Sequence, residues 1–352
     1  MNSSTATTLT TEVVLPGKVE TSGLVVHTRE LPAPAAGQVV LRMEASGVSF
    51  AEQQMRRGKY YDQPAFPFVP GYDVVGTVTA VGADVDRGLV GRRFAAVVKT
   101  GGWASSLLLD AGDLVAVPDG VDATAAETVA VNGVTAWQML HRSAKVREGG
   151  TIVVLGANGG VGSTLVQLAR HAGIKVIGTA SARHHDTVRD LGAIPVDYRD
   201  PAMYERIREI APDGVDAVFD HVGGAAGLRQ SWALLRKGGT LVSYGTAATK
   251  DDEGNSQLPV LKSFFRLLVW NHLPNGKGAN FYNFWAGKRR LETFRGRLRD
   301  DLTQVLRLVA DGVLTPQIAA EFPLTEAGAA LALAESRTVA GKVVIVPDAP
   351  RP

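Results

Sequence analysis

The hydrophobic and polar positions of this chain follow two different patterns in its two main parts. From residue 12 to about residue 125, short stretches rich in β-branched residues are bounded by Gly and Pro. Residues 38–43 and 74–81 are examples, and this pattern predicts strands. No helix longer than a few turns is predicted here, so we expect this part to be an all-β module.

From Ala123 onward, helices and strands are predicted to alternate. Apolar residues at helical spacing predict helices at residues 123–131 and 134–141, broken at Gly133. The continuous apolar run at 151–155 is typical of a strand buried on both faces. Further strands are predicted at 175–179, 193–196, 215–219 and 240–244, with helices at 160–171, 184–191 and 225–236. Repeated β-α-β units predict an α/β fold with a parallel, doubly wound sheet.

The C-terminal part of the chain combines one long amphipathic helix, predicted over residues 289–310, with a return to β character at 342–346. A chain of 352 residues exceeds the size at which one hydrophobic core usually serves, so two domains are expected. The economical arrangement returns the C-terminal segment to the β-rich module. We therefore expect residues 1–127 and 293–352 to form one domain and residues 128–292 to form a second domain inserted between them.

Charge and composition narrow the function classes. The 37 basic and 35 acidic residues nearly cancel, and no Lys or Arg block stands out, so no nucleic-acid partner is expected. Cysteine is absent, which excludes disulfides, thiolate zinc sites and cysteine nucleophiles.

Two segments bear on localisation. Residues 1–11 are rich in Ser and Thr without the features of a signal peptide, and we expect a disordered leader. The apolar stretch at 258–270 is interrupted by Lys262 and Arg266 and is too short to span a bilayer, so no stable membrane insertion is expected. A cytoplasmic protein is the default expectation.

The first candidate site is the glycine-rich turn that follows the predicted strand at 151–155. Its residues are Gly156, Ala157, Asn158, Gly159, Gly160, Val161 and Gly162, and a helix begins within it. Glycines let the backbone approach a pyrophosphate, and the helix N-terminus supplies amide donors and partial positive charge. Since the turn lies between a strand and a helix and a second strand follows, it predicts a dinucleotide site rather than an empty βα turn.

The residues after the next strand indicate which dinucleotide binds. Sites that prefer NAD usually place an acidic residue there for the ribose hydroxyls, and no acid occurs here before Asp186. Ser181 and Arg183 instead suit a 2′-phosphate, because a guanidinium can pair with two oxygens at once. Tyr198 is a candidate for the other wall of the pocket, although plain packing would explain it equally well. NADPH is the predicted cofactor.

Several segments together carry a resemblance to a known family. They are Gly47-Val48-Ser49-Phe50, Arg57-Gly58-Lys59-Tyr60, Pro70-Gly71-Tyr72-Asp73 with Val74-Val75-Gly76, Asn132-Gly133-Val134-Thr135-Ala136, the glycine-rich turn, Glu335-Ser336-Arg337 and Gly341-Lys342-Val343-Val344. From about Val13 to Val346 the chain resembles the medium-chain dehydrogenase/reductase superfamily, in its zinc-independent quinone oxidoreductase branch. The resemblance implies a Rossmann domain that binds NADPH, a GroES-like β-rich catalytic domain, and an active site in the cleft between them.

The resemblance also implies that no metal takes part. The zinc-dependent branch has a cysteine where Ser49 stands and a histidine where Tyr72 stands, so the usual ligands are missing. The quinone oxidoreductase branch usually has Asn at the Ser49 position and Asp at the Glu52 position. These two departures lie in the expected nicotinamide neighbourhood and leave the substrate class open.

Roles for individual residues follow from the same resemblance. Tyr60 and Ser49 are the candidate catalytic residues, as orienting donors or a proton source. Asn132 and Thr135 are expected to position the nicotinamide, and Arg337 to reach the phosphate region of NADPH. Further cofactor contacts are expected at Gly245 and at Phe281, which lies in a variable segment at 270–285.

Histidines and a pair of acids are weaker candidates. His221 follows the fourth strand of the inserted domain, but we expect it to be packed or hydrogen-bonded rather than catalytic. The adjacent pair His184 and His185 lacks the spacing of metal ligands on one helical face. Asp251 and Asp252 are expected in a solvated loop.

Three functional hypotheses remain open at this point. The leading one is an NADPH-dependent reductase that transfers a hydride to a quinone or an α,β-unsaturated carbonyl acceptor. A pathway-specific enoyl or enone reductase in biosynthesis, and a non-catalytic NADPH-binding sensor or interaction protein, are the alternatives. The resemblance also implies a homodimer, formed through the sheet edge of the nucleotide domain in the 258–272 region.

Overall fold

The apolar runs of the sequence become strands of separate sheets in the structure, a computed structural model that describes residues 8–245 and 257–349. The strands in these residues are β1 (Thr8–Val14), β2 (Val25–Leu31), β3 (Gln38–Val48), β4 (Asp73–Val81), β5 (Arg93–Val97), β6 (Ser106–Asp110), β7 (Val115–Ala116), β8 (Thr151–Leu155), β9 (Lys175–Ala180), β10 (Ile194–Asp197), β11 (Val215–Asp220), β12 (Leu235–Ser243), β13 (Gly278–Phe281), β14 (Ile318–Pro323) and β15 (Lys342–Val346). The helices are α1 (Phe50–Arg56), α2 (Ala123–Trp137), α3 (Gly160–His171), α4 (His185–Asp190), α5 (Met203–Ile210), α6 (Ala225–Ala233), α7 (Gln257–Asn271), α8 (Leu291–Ala310) and α9 (Ala327–Ser336).

The chain divides into two compact units, Met1–Val131 with Gly287–Pro352, and Asn132–Ala286. The breaks fall a few residues from the domain boundaries expected from the sequence. In the first unit a sheet has the strand order β14-β15-β3-β4-β5-β7, with β6 also paired to β3, and β1 pairs with β2 separately. The C-terminal strand β15 lies beside β3 in antiparallel pairing, so the end of the chain completes the sheet that its beginning starts.

The second unit is built on a six-stranded sheet with the order β10-β9-β8-β11-β12-β13, and all of its pairings are parallel. The apolar runs at β8 and β11 lie in its centre and are almost fully buried. Because parallel strands share one direction, their carboxyl ends meet at a single edge, and ligands bind in the crevice where the strand order reverses. That reversal falls between β8 and β11.

The predicted fold class, a parallel Rossmann sheet plus a β-rich domain, is therefore confirmed. One predicted break is wrong: α2 continues through Gly133 to Trp137 and then into a π-helical turn at Gln138–Ala144. Gly133 is buried within α2. Its helix-breaking tendency, about 1 kcal/mol relative to Ala, is small against the packing of a helix buried on most sides.

Other differences are local. The expected leader is wrong at its end, because β1 begins at Thr8 and pairs with β2, while residues 1–7 lie outside the described part. The 258–272 region belongs to helix α7, and the edge strand of the sheet is β13 instead. Asp251 and Asp252 lie outside the described residues. In the described ranges, no helix is long and apolar enough to cross a membrane.

Candidate functional site

The glycine-rich turn joins the end of β8 to the start of α3, at the point where the strand order of the sheet reverses. Gly156 has a φ of 72°, a left-handed conformation that favours glycine. The turn is held by the Ala157 amide, which donates to the Thr179 carbonyl at 2.9 Å. Gly159 is the N-cap residue of α3 and makes no side-chain capping bond, so the first amides of the helix are not capped by it.

Three glycines of this turn stand where no side chain fits. A Cβ on Gly156 would lie 2.5 Å from Cε1 of His221, and one on Gly160 would lie 2.3 Å from Nδ2 of Asn132. A Cβ on Gly162 would lie 2.1 Å from the carbonyl oxygen of Gly156. Of the turn residues that sequence reasoning singled out, Gly160 is therefore brought against Asn132.

His221 is part of the same cluster, although its sequence position alone did not reveal this. Its Nδ1 lies 3.0 Å from the carbonyl oxygen of Leu155, which accepts a hydrogen bond from the ring. This bond confirms the expectation that His221 is hydrogen-bonded. A Cβ on Gly245 would lie 2.5 Å from the carbonyl oxygen of His221, so the end of β12 also reaches this residue.

The remaining carboxyl ends of the sheet carry the other predicted cofactor residues. Ser181 is buried after β9, and the Tyr198 amide after β10 donates to the Ala180 carbonyl at 3.2 Å. Tyr198 is 53% exposed and lies under the guanidinium of Arg199, which is 5.5 Å from the ring centroid. Ser181 and Tyr198 thus directly follow the ends of two adjacent strands.

Arg183 lies in a short turn directly after Ser181 and is exposed. Its Nε donates to Nε2 of His184 at 3.1 Å. Partial burial and the charge of Arg183 lower the pKa of His184, which favours the neutral imidazole that accepts this bond. Arg183 and Arg199 thus follow two adjacent strands of the sheet, β9 and β10.

At the other end of the sheet, Phe281 closes β13 and pairs in register with Ser243 of β12. The next residue, Tyr282, donates its hydroxyl proton to Oε1 of Gln138 at 2.9 Å. Gln138 begins the π-helical turn after α2, and Thr135 is buried three residues earlier. The 270–285 segment, taken from the sequence as a variable loop, thus contains a strand and is anchored to the end of α2.

In the first unit, Tyr60 and Tyr72 form a hydroxyl pair. Their oxygens are 3.0 Å apart, and both side chains are buried. Burial and the neighbouring Tyr72 raise the pKa of Tyr60 well above its ordinary value, so the phenol keeps its proton throughout the physiological range. A phenolic hydroxyl that stays protonated is a stable hydrogen-bond donor.

Ser49 caps a helix, a role that was not among the predictions from the sequence. It is the N-cap of α1, where its Oγ accepts from the Ala51 amide at 3.1 Å and contacts Oε2 of Glu52. Oε2 of Glu52 in turn accepts from the Ser49 amide at 2.8 Å, which completes a capping box. The S-x-x-E spacing of this box is visible in the sequence. Glu52 is 1% exposed.

A buried cluster of one lysine and two acidic residues lies in the same unit, and it was also not predicted from the sequence. Nζ of Lys342 is 2.7 Å from Oδ2 of Asp73 and 2.6 Å from Oε1 of Glu127, with all three residues at most 3% exposed. Burial and the charge of Asp73 raise the pKa of Glu127, while the two carboxyl groups raise the pKa of Lys342 against the opposing effect of burial. The Asp73 carboxylate also accepts from the Val131 amide at 3.1 Å.

Arg337, predicted to reach the cofactor phosphates, belongs to the first unit. It follows α9 in a left-handed conformation with a φ of 57° and is exposed. The other cofactor candidates, from Asn132 to Phe281, belong to the second unit, and the reach of Arg337 to the cofactor phosphates stays a prediction.

The donor set at the zinc positions of related dehydrogenases does not fit that metal. Ser49 and Tyr72 offer only hydroxyl oxygens, already hydrogen-bonded to Glu52 and Tyr60, and the sequence has no cysteine. Within the described residues, no three His, Cys, Asp or Glu side chains are grouped so that they could hold a metal ion.

Comparisons with known protein families place both parts of the chain. The family described as alcohol dehydrogenase GroES-like domain matches residues 35–139. The family described as zinc-binding dehydrogenase matches residues 191–345. The two matches together run through both compact units.

Individual proteins are similar over most of the chain. It is 29% identical over 321 residues to the synaptic vesicle membrane protein VAT-1 homolog of Danio rerio, covering 90% of this chain and 66% of that protein. It is also 30% identical over 344 residues to the mycocerosic acid synthase-like polyketide synthase of Mycobacterium tuberculosis, covering 97% of this chain and 15% of that much longer protein.

Two solved mycobacterial structures are similar throughout. One is described as a quinone oxidoreductase, with a TM-score of 0.78 and 27% identity over 96% of this chain and 100% of that one. The other is complexed with NADPH, with a TM-score of 0.80 and 26% identity over 96% of this chain and 100% of that one.

Proposed function

Since the chain belongs to the medium-chain dehydrogenase/reductase superfamily, in its zeta-crystallin-like quinone oxidoreductase branch, we propose that it is an NADPH-dependent reductase of quinones or α,β-unsaturated carbonyl compounds. The observation that carries this proposal is the cluster of Gly156, Gly160, Asn132 and His221 at the point where the strand order reverses. The similar mycobacterial structure that holds NADPH supports it.

The second unit would bind the dinucleotide along the carboxyl edge of its sheet. The start of α3, where Gly159 provides no side-chain cap, suits the pyrophosphate, because a helix N-terminus combines amide donors with the positive end of the helix dipole. Arg183, beside Ser181 and Tyr198, suits the 2′-phosphate that distinguishes NADPH from NADH. When bound, the nicotinamide supplies the hydride.

The first unit would supply donors for the acceptor's carbonyl oxygen. The Tyr60 and Tyr72 hydroxyls are hydrogen-bonded to each other, and the raised pKa of Tyr60 keeps its phenol protonated. Donors fixed near a carbonyl stabilise the negative charge that develops there as the hydride adds. Since the zinc positions hold Ser49 and Tyr72, the proposed reaction uses hydroxyl donors in place of a metal.

The test is NADPH consumption with a panel of quinones and enones, with NADH as the matched cofactor. We expect oxidation of NADPH with at least one acceptor and a much lower rate with NADH. Tyr60→Phe removes the hydroxyl and keeps the ring, and it should lower kcat with little change in NADPH affinity. NADPH binding without turnover of any acceptor would instead support a non-catalytic sensor.

A pathway-specific enoyl reductase is the second candidate. It is favoured by the similarity of nearly the whole chain to one part of a polyketide synthase. The 270–285 segment, fixed by β13 and by the bond from Tyr282 to Gln138, would then shape a defined pocket. A higher kcat/KM for enoyl thioesters than for quinones would favour this candidate over a general quinone reductase.

The exposed face of α7 supports a homodimer. Leu261, Phe264, Phe265, Leu268 and Val269 are all at least 44% exposed and recur at helical spacing, so they form one apolar stripe. Contiguous apolar surface of this kind marks interaction sites in soluble proteins. The neighbouring strand β13 is the edge of the sheet, and two such edges from two copies are the natural partners of each other.

A further inference from the structure

The carboxyl group of Glu52 has surroundings that favour its neutral, protonated form. It is 1% exposed, and among the described residues its Oε1 has no hydrogen-bond partner. Its Oε2 accepts from the Ser49 amide and contacts the Ser49 hydroxyl. A buried carboxylate needs donors on both oxygens or a cation nearby, and this one has donors on a single oxygen.

The charge of a neighbouring residue acts in the same direction. Asp73 of β4 acts on Glu52 as a like charge, and the cation Lys342 is already shared between Asp73 and Glu127. Burial first, and then Asp73, raise the pKa of Glu52, while the bonds from Ser49 and from the backbone amides oppose the shift without cancelling it.

We propose that Glu52 is held as the neutral acid and passes its proton through Ser49 Oγ to the reduced acceptor. Ser49 touches the acceptor in this proposal and Glu52 acts through it. The inference rests on the proposed reductase function, and it assigns the source of the proton that the reaction consumes.

The capping box provides the geometry for this transfer. A hydroxyl has one proton to donate and two lone pairs. When Glu52 is protonated, Oγ of Ser49 can accept from Oε2 and from the Ala51 amide, which leaves its own proton for the acceptor. When Glu52 is ionised, the Ser49 hydroxyl and amide both donate to Oε2 and stabilise the carboxylate. Ser49 is partly exposed, whereas Glu52 is buried.

The reaction needs no reactant besides NADPH, the acceptor and a proton. Hydride from NADPH adds to the acceptor, and the product is an enolate or a hydroquinone anion that carries its negative charge on oxygen. This oxygen takes the proton of Ser49 Oγ, and Oγ takes the proton of Glu52 Oε2. NADPH becomes NADP⁺, the acceptor gains a hydride and a proton, and Glu52 is left as a carboxylate. Glu52 recovers its proton from solvent through the same hydroxyl.

Glu52→Gln tests the relay because glutamine keeps the capping box and has no acidic proton. We expect kcat to fall about 100-fold, the lower end of the contribution of general acid catalysis, with NADPH affinity unchanged. The kcat of the unmodified protein should decline as the pH rises through the raised pKa of Glu52, and Glu52→Gln should lose this dependence. The solvent deuterium isotope effect on kcat should be larger for Glu52→Gln than for the unmodified protein, because protonation becomes rate-limiting.

Matched variants separate the relay from the helix cap. Ser49→Ala should be impaired like Glu52→Gln, and Ser49→Thr, which keeps the hydroxyl, should recover activity. Asp86→Asn is the control: it makes the same carboxyl-to-amide change at an exposed cap, where Asp86 accepts from the Gly88 amide at 2.8 Å. It should behave like the unmodified protein in every measurement.

Infrared spectroscopy reports the proton itself, independently of turnover. The unmodified protein at pH 7 should show the band of a protonated buried carboxyl group, and Glu52→Gln should lose it. Unchanged kcat and pH profile in Glu52→Gln, or a spectrum that Glu52→Gln does not change, would overturn the relay alone. If the unmodified protein oxidises NADPH with none of the acceptors tested, both the proposed function and the relay are refuted.

Discussion

Among single residues, Gly156 shows how the dinucleotide turn depends on absent side chains. Its backbone is left-handed, and the ring of His221 occupies the space where a Cβ would lie. Strain and crowding therefore act together at this position. Gly149 has a similar φ of 78° and nothing within 4 Å of its Cβ position, so it isolates the backbone effect.

Gly156→Ala should consequently cost more stability than Gly149→Ala. The left-handed backbone alone costs about 1–2 kcal/mol, and crowding against His221 should add about 1–3 kcal/mol. Urea unfolding measures both losses, and fluorescence titration should show weaker NADPH binding for Gly156→Ala only. Adding His221→Ala should recover part of the loss. Equal losses for the two glycine variants would show that the His221 contact is unimportant.

Arg183 should determine the choice between NADPH and NADH. Arg183→Ala removes a charge-assisted bond to the 2′-phosphate, and we expect the Kd for NADPH to rise about tenfold or more. The Kd for NADH, which lacks that phosphate, should stay the same. Arg189→Ala, which removes an exposed arginine of α4 paired with Asp186, is the control for general charge effects. A parallel loss of NADH affinity would argue against the assigned pocket.

Sequence reasoning reached the turn and missed much of its surroundings. The glycines, Ser181, Arg183 and Tyr198 could be proposed as site residues because each follows a strand that is evident from its apolar run. The contact of His221 with Gly156 could not, because it depends on which strand lies beside β8 in the sheet. The capping box of Ser49 and Glu52 could be recognised from the spacing of the two residues. The burial of Glu52, which favours its neutral form, depends on the folded chain and could not be predicted.

At the scale of elements, the buried lysine of β15 holds together three parts of the first unit. Lys342 of β15 pairs with Asp73 of β4 and with Glu127 of α2. Gly47 of β3 gives it room, since a Cβ there would lie 2.2 Å from Cε of Lys342. The cluster ties the C-terminal strand to elements formed much earlier in the chain.

Lys342→Met should therefore destabilise the protein strongly. It keeps the length of the side chain and leaves two buried acids without their cation, a change that typically costs about 3–5 kcal/mol. The free energy of unfolding from urea titration gives the loss. Lys99→Met removes the partner of exposed Asp62 and should cost less than about 1 kcal/mol. Comparable losses in the two variants would contradict the structural role of the cluster.

Element boundaries show which patterns carried information. The strands β8 and β15 and the helix α3 match their predictions residue for residue, because apolar runs and the glycine turn mark their ends. β13 was not predicted, since Gly and Asn within it disfavour strands and only pairing with β12 makes it one. The helix α9 was not predicted either, because it is apolar over most of its length and shows no amphipathic period.

For the whole molecule, substitutions in the apolar stripe on α7 test the proposed dimer. Phe265→Lys and Val269→Lys each place a charge on a surface that two copies would bury, and we expect a dimer to become a monomer of 37.2 kDa. Size-exclusion chromatography with light scattering measures the mass. Val90→Lys, at an apolar residue that is 46% exposed elsewhere, should leave the dimer intact. A monomeric unmodified protein would refute the interface.

The place of β15 has a consequence for how the protein is made. β15 lies between β14 and β3, so the first sheet is incomplete until its last strand has left the ribosome. The second unit is continuous in sequence, so it can fold while synthesis continues. Until β15 has been made, residues 46–48 of β3 lack this partner strand, and Asp73 and Glu127 lack the lysine that pairs with them. A chain that ended after residue 286 would thus hold the whole second unit and a first unit that lacks β14 and β15.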